Sequence, residues 1–207
     1  MTKEITKVKL CGLTRLCDIE AVNLLKPDYI GFVFAPKSKR YISKETAYQL
    51  KQQLDSSILA VGVFVNEKPE IIAALLEEGI INLAQLHGTE NEIYITQLRT
   101  LTDKPIIQAF RIDTPEDADV AEKCSADYIL LDSGTGGTGT AFDWTLLKNI
   151  KRPYFLAGGL TPENVGTAVK TLSPYGVDVS SGIETNGLKD KDKMKALLSA
   201  VRKNRKE

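Results

Sequence analysis

Apolar runs of strand length recur along this chain at a nearly fixed interval. They begin near Val8, Tyr29, Leu59, Leu83, Ile106, Tyr128, Tyr154 and Val177, spaced 21 to 30 residues apart and about 24 on average. Several are apolar without interruption, as in Ile58-Leu-Ala-Val-Gly-Val-Phe-Val65 and Tyr128-Ile-Leu-Leu131. A strand with one wet face alternates, whereas an uninterrupted run is covered on both faces, the condition of a parallel sheet wrapped by helices. The segments between the runs carry helical spacing. Met194, Leu197, Leu198 and Val201 fall on one stripe, with Lys191, Lys193, Lys195 and Arg202 facing away. Ala47, Leu50 and Leu54 form a second stripe, and Ile71, Ile72, Leu75 and Leu76 a third. Thr114-Pro115-Glu116 and Thr161-Pro162-Glu163 predict helix starts, each with a threonine cap and proline at the first helical position. Eight such units admit an open doubly wound sheet or a closed barrel. Their even size, without long insertion or linker, favours closure: an α/β fold forming a single (β/α)8 TIM barrel over residues 1–207.

Composition narrows the function classes. The chain of 207 residues is long enough to bury about 70% of its unfolded surface in one core. Its 27 Lys+Arg balance 27 Asp+Glu, so the basic excess of a nucleic-acid surface is missing. No apolar run approaches the ~18 residues of a membrane span. Met1-Thr-Lys-Glu-Ile-Thr-Lys7 is charged and lacks the apolar region of a secretory signal. Cysteine is scarce and odd in number (Cys11, Cys17 and Cys124) and forms no CxxC pair, which argues against a disulfide framework or a zinc cluster. These features predict a soluble cytoplasmic globular protein with neither nucleic-acid nor membrane partners.

Glycine placement predicts which rim of the barrel works. Ten of the 15 glycines follow the C-terminal end of a strand: Gly12, Gly88, Gly134, Gly136, Gly137, Gly139, Gly158, Gly159, Gly182 and Gly187. At the opposite rim stand Gly79 and Gly176. Glycine is used where backbone must approach a ligand or adopt positive φ, and barrels place their active sites on the rim that follows the strands.

Asp132-Ser-Gly-Thr-Gly-Gly-Thr-Gly139 contains GxGxxG, but its context is not that of a dinucleotide fold. The following strand ends in Leu156-Ala-Gly-Gly159, with no acid to take a ribose hydroxyl. Three successive loops instead share small, amide-exposing residues: Gly136-Gly-Thr-Gly139, Ala157-Gly-Gly159 and Ser180-Ser-Gly182. Together they suit a phosphate cradle of main-chain N–H groups, with Gly137, Thr138, Gly139, Gly158, Gly159, Ser181 and Gly182 as its candidates. Cys11 and Asp132 close strands one and six, where a thiol and a carboxyl could flank a substrate as base and acid. Taken alone, Cys11 reads more readily as a buried small hydrophobe, which is how most free cysteines behave. Cys17 and Cys124, in helical stretches, read as structural. Arg40, in the loop after strand two, presents a fork suited to a carboxylate or is a solvated loop charge. His87, the single histidine, follows strand four and either lines the pocket or sits at its rim. Asp178 in strand eight either points into the barrel mouth or is an ordinary hydrogen-bonded carboxylate. Trp144 reads as a helix anchor rather than a ligand-stacking ring.

At these residues the sequence resembles the phosphoribosylanthranilate isomerases of tryptophan biosynthesis. The matching stretches are Lys9-Leu-Cys-Gly-Leu-Thr14, Gly31-Phe-Val-Phe34 with Ser38-Lys-Arg40, Gly62-Val-Phe-Val65 and Gln85-Leu-His-Gly88. They continue through Leu131-Asp132, Gly136-Gly-Thr-Gly139 with Phe142-Asp-Trp144, and Ala157-Gly-Gly-Leu-Thr-Pro-Glu-Asn-Val165. The last is Gly176-Val-Asp-Val-Ser-Ser-Gly-Ile-Glu184 with Lys189-Asp190. The set touches all eight units in the family's order, and one departure is Asn186-Gly187, where the family pattern has Pro-Gly. The resemblance implies a barrel that needs no cofactor and converts N-(5-phosphoribosyl)anthranilate to the aminodeoxyribulose phosphate. It also implies Cys11 as general base, Asp132 as general acid, Arg40 on the anthranilate carboxylate and the glycines of loops six to eight on the phosphate. His87 and Asp178 stay as pocket-lining candidates, and the chain is expected as a monomer or a homodimer. Two rivals are weighed against it. A histidine-pathway ribotide isomerase would need a second glycine-rich site near loop two, which here is rich in lysine and arginine. A non-catalytic sugar-phosphate-binding barrel would bind without turnover.

Overall fold

The computed structural model describes residues 5–132, 144–147 and 150–203. Eight parallel strands close into one barrel in chain order, with the last strand hydrogen-bonded to the first. They are β1 (Lys7–Cys11), β2 (Tyr29–Val33), β3 (Leu59–Phe64), β4 (Leu83–Leu86), β5 (Ile106–Arg111), β6 (Tyr128–Asp132), β7 (Tyr154–Ala157) and β8 (Gly176–Val179). Each begins within one residue of the apolar run that predicts it. Helices α1 (Leu16–Leu25), α2 (Lys44–Gln52), α3 (Pro69–Glu77), α4 (Glu92–Arg99), α5 (Pro115–Lys123), α6 (Val165–Leu172) and α7 (Lys191–Lys203) fill the crossovers and follow β8. The described part of the crossover from β6 to β7 holds a 3₁₀ turn, Trp144–Leu147, with Trp144 half-buried against the outer core.

Because side chains alternate between the faces of a strand, the barrel sorts its residues into separate cores. Val8, Leu10, Ile30, Phe32, Ala60 and Phe64 face outward and pack against the helices, where Met194, Leu197, Leu198 and Val201 of α7 are buried as their spacing predicts. Tyr29, Val61, Leu83, Ile107, Leu130 and Phe155 point inward and fill the barrel, with Tyr128 and Tyr175 packed against them. The Phe155 ring meets Tyr29 and Tyr175 edge-on, at centroid distances of 5.5 and 5.3 Å. A smaller cluster of Cys11, Val33 and Val63 lies nearer the C-terminal mouth.

Thr114 caps α5 as expected. Its hydroxyl accepts from the Asp117 amide while the Asp117 carboxylate accepts from the Thr114 amide at 2.8 Å. Thr161 caps a turn ahead of α6, which starts at Val165: its hydroxyl accepts from the Glu163 amide at 3.2 Å and its carbonyl from the Val165 amide at 3.0 Å. The Asn164 side chain accepts from the Thr161 amide at 2.8 Å and donates to the Gly159 carbonyl at 2.9 Å. The segment around Pro162 is thereby held as a turn, and Asn164 takes the cap position.

After β8 the chain forms a short antiparallel hairpin, β9 (Glu184–Thr185) and β10 (Leu188–Lys189). Asn186 and Gly187 both take positive φ, 53° and 77°, the pattern of a type I′ turn. A proline at position 186 could not adopt that φ, so the Asn-Gly pair keeps the turn but changes its type. No described helix is long and apolar enough to cross a membrane.

Candidate active site

The C-terminal mouth of the barrel opens into a cavity of about 480 Å³, within the range of small-molecule pockets. Cys11, Arg40, His87, Asp132, Gly158, Gly159, Asp178 and Ser181 all contribute to its wall. Eight candidates from distant parts of the sequence thus meet in one space. Gly182 sits one residue further on, where an added Cβ would come within 1.9 Å of the Leu160 carbonyl oxygen. It lets the loops after β7 and β8 touch. Gly137, Thr138 and Gly139 lie outside the described residues.

On β1, Lys9 and Cys11 are two residues apart and therefore share the inward face. Lys9 is fully buried, and its Nζ donates to Asp178 Oδ1 across the β1–β8 seam at 2.9 Å. Burial by itself disfavours the Lys9 ammonium, but Asp178 and Cys11 outweigh it and raise the Lys9 pKa above its ordinary value. Lys9 is a fixed cation beside a thiol. Burial pushes the Cys11 thiol pKa up, Lys9 and Lys189 pull it down, and Asp178 adds to the rise, leaving it above the usual thiol value. The sulfur also needs room. A Cβ on Gly31 would lie 2.6 Å from Cys11 Sγ, so β2 carries glycine where it passes the thiol.

Arg40 is already engaged. Its Nε and Nη2 donate to the two oxygens of Glu184 at 2.6 and 2.9 Å, a bidentate pair at the end of β8's loop. Its stem lies against Gly12, which has a φ of +81° and where a side chain's Cβ would fall 2.4 Å from Arg40 Cδ, so no larger residue fits. Lys189 faces Glu184 across the hairpin and donates to it at 2.7 Å and to the Ser180 carbonyl at 2.9 Å. Burial pushes the Glu184 carboxyl up, yet Arg40 and Lys189 together hold it down at about 2. Along the β8–β1–β2 side of the mouth, three cations (Lys9, Arg40, Lys189) thus face two carboxylates (Asp178, Glu184).

On the opposite wall the His87 amide donates to the Phe64 carbonyl at 2.8 Å, and its Nδ1 lies 2.9 Å from Gln85 Nε2. Among the described residues no group of three or more His, Cys, Asp or Glu is arranged to hold a metal ion. Sequence reasoning did not single out Lys9, Gln85, Glu184 or Lys189 as site residues. Lys9 and Gln85 had a signal, since a polar residue two positions from a rim residue on the same strand shares its face.

The chain is similar to known proteins over nearly its whole length. Residues 8–200 match the family described as N-(5′-phosphoribosyl)anthranilate isomerase. The enzyme of that name from Endomicrobium trichonymphae is 46% identical over 200 residues, covering 95% of this chain and 98% of its own. A phosphoribosylanthranilate isomerase solved in complex with reduced 1-(o-carboxyphenylamino)-1-deoxyribulose 5-phosphate superimposes with a TM-score of 0.84 at 36% identity, covering 96% of this chain and 100% of its own. Monomers made from the dimeric enzyme of Thermotoga maritima give 0.85 at 36% identity and the same coverage. With closed barrel, rim cavity and near-complete alignment in agreement, the chain belongs to the N-(5′-phosphoribosyl)anthranilate isomerase family.

Proposed function

We propose that this barrel converts N-(5′-phosphoribosyl)anthranilate to 1-(2-carboxyphenylamino)-1-deoxyribulose 5-phosphate, the Amadori step of tryptophan biosynthesis. The observation that carries the reading is the meeting of Cys11, Asp132 and Arg40 in one cavity whose far rim is made of Gly158, Gly159 and Ser181. Asp132 gives a proton to the furanose ring oxygen as the C1–O bond breaks, leaving an iminium between C1 and the anthranilate nitrogen. That cation acidifies the C2 proton, which the Cys11 thiolate removes, and the electron pair moves to form an enol-amine. Return of a proton to C1 and loss of the enol proton give the ketone. Hydrogen moves from C2 to C1 within one molecule, so the step needs no external oxidant and no cofactor.

A thiol with a raised pKa is a strong base once ionised. The Lys9 and Lys189 ammoniums counter only part of the burial that opposes ionisation, and the substrate iminium adds positive charge at the moment of proton transfer. Arg40 meets the anthranilate carboxylate with Nη1, while Glu184 holds its other edge. The phosphate lies on the main-chain amides near Gly158, Gly159, Ser181 and Gly182. Asp178 acts through Lys9, and His87 lines the substrate's opposite side. The chain works in the cytoplasm as one barrel domain, monomeric or homodimeric, on a small molecule and without nucleic-acid partners.

Loss of the substrate's anthranilate fluorescence measures the reaction. Turnover by the intact chain, and a fall of ~10²–10⁴ in kcat for both Cys11→Ala and Asp132→Asn with KM moving less, is the expected result. Binding of the substrate without turnover would favour a sugar-phosphate-binding barrel instead.

A further inference from the structure

We propose that Gln85 is a positioning residue that fixes His87 in the tautomer carrying its proton on Nε2, so that the imidazole presents an N–H donor to a substrate oxygen in the cavity. The role in turnover rests on the isomerase reading above; the tautomer does not.

Gln85 is 1% exposed on β4 and belongs to the inward set of that strand, since it too contributes to the cavity wall. Its Nε2 lies 2.9 Å from His87 Nδ1, two residues on and on the same face. An amide nitrogen is only a donor, so the ring nitrogen it meets must accept and carries no proton. The proton of the ring then sits on Nε2. The backbone beneath the ring is held in place. The His87 amide is tied to the Phe64 carbonyl, and the next amide, Gly88, donates to Glu90 at 2.7 Å. The same carboxylate accepts from the Asn66 amide at 2.6 Å, so the loops after β3 and β4 are clamped together. The backbone sets where the imidazole stands, and Gln85 sets which nitrogen bears hydrogen.

The remaining atom of the amide strengthens the case. Gln85 Oε1 is buried without a hydrogen-bond partner among the described residues. Buried carbonyls are seldom left in this state, and an apolar side chain of similar length would fill the space without the defect. A buried glutamine half-unsatisfied beside the pocket is explained if its other half has work to do. The matching buried carbonyl on Gln108 has no such neighbour: its amide nitrogen reaches only the adjacent Ala109 carbonyl, at 3.3 Å.

Because His87 is the single histidine, ¹⁵N-histidine labelling gives one imidazole spectrum free of overlap. The intact protein should show a protonated Nε2 and a bare Nδ1. Gln85→Glu, whose carboxylate can only accept, should move the proton to Nδ1, and Gln85→Leu should leave the two forms mixed. Turnover should follow. His87→Ala and Gln85→Glu should each lower kcat/KM by roughly tenfold, the worth of one hydrogen bond, and in the His87→Ala background Gln85→Glu should add nothing. A proton on Nδ1 in the intact protein overturns the proposal, as does an undiminished effect of Gln85→Glu once His87 is gone. If the intact chain turned over no substrate, the isomerase reading would fall while the spectrum still decided the tautomer.

Discussion

Replacing Gly31 by alanine tests how closely the barrel is fitted around its thiol. The new methyl would lie 2.6 Å from Cys11 Sγ, 3.1 Å from Cys11 Cα and 3.2 Å from Cys11 Cβ, whereas ordinary contact begins near 3.4 Å. The sulfur must therefore retreat by about 0.8 Å, while the backbone contact needs only a few tenths of an ångström. Gly31 lies outside the set of positive-φ residues, so alanine brings no backbone strain and the whole penalty is steric. Overpacking of this kind costs about 1–3 kcal/mol. Moving a reacting group by about 1 Å costs on the order of 10² in rate. Urea titration should show the first effect, and fluorescence turnover the second as a loss in kcat with KM little changed. A double-mutant cycle isolates the contact: with Cys11→Ala the sulfur is gone, and most of the stability cost of Gly31→Ala should vanish, a coupling of about 0.5–3 kcal/mol. Turnover of Gly31→Ala within twofold of the parent, or an equal stability loss with and without the sulfur, would refute the reasoning.

Three further perturbations address the charges of the mouth. Arg40→Ala should raise KM by roughly 10- to 100-fold, the range of a charge-assisted hydrogen bond, and a substrate lacking the benzoate carboxylate should be indifferent to the change in steady-state kinetics. Lys9→Met leaves Asp178 without its buried partner and should cost about 3–5 kcal/mol by chemical denaturation; Asp178→Asn added to it should recover a large part, and a loss below about 1 kcal/mol would show that the pair does not hold the seam. Glu184 titrates at about 2 in the fold against an ordinary 4.5. A depressed carboxyl stabilises above its unfolded pKa and loses that contribution as pH falls toward the folded one. Urea midpoints should therefore drop between pH 4.5 and 2, and Glu184→Gln should flatten that limb; an unchanged slope would remove Glu184 from the acid response.

The strands were legible because each is covered on both faces and so is written as an unbroken apolar run, Tyr128-Ile-Leu-Leu131 being the plainest. The rim was legible from where the glycines fall. The charges behind the rim were harder to read. Lys9 looks like a polar interruption between Val8 and Leu10 until the strand is given an inside, and only then does its spacing from Cys11 matter. Glu184 meets Arg40 across 144 residues of sequence, and Lys189 reaches it through a hairpin whose turn is set by two adjacent positive-φ residues. Such partners are made by closure of the ring, and no local pattern announces them. Thr161 was read only in part: its hydroxyl takes the Glu163 amide, but Asn164 ties the turn it opens back to Gly159 and the regular helix starts at Val165.

The seam between β1 and β8 has a consequence for how the protein is born. Lys9 leaves the ribosome 169 residues ahead of its counterion. Until that aspartate emerges, an ammonium destined for the interior has no anion to neutralise it, and the nascent sheet has an open edge on either side. Order at the thiol therefore waits on β8, and a chain stalled short of it would carry its general base with the neighbouring lysine still in water.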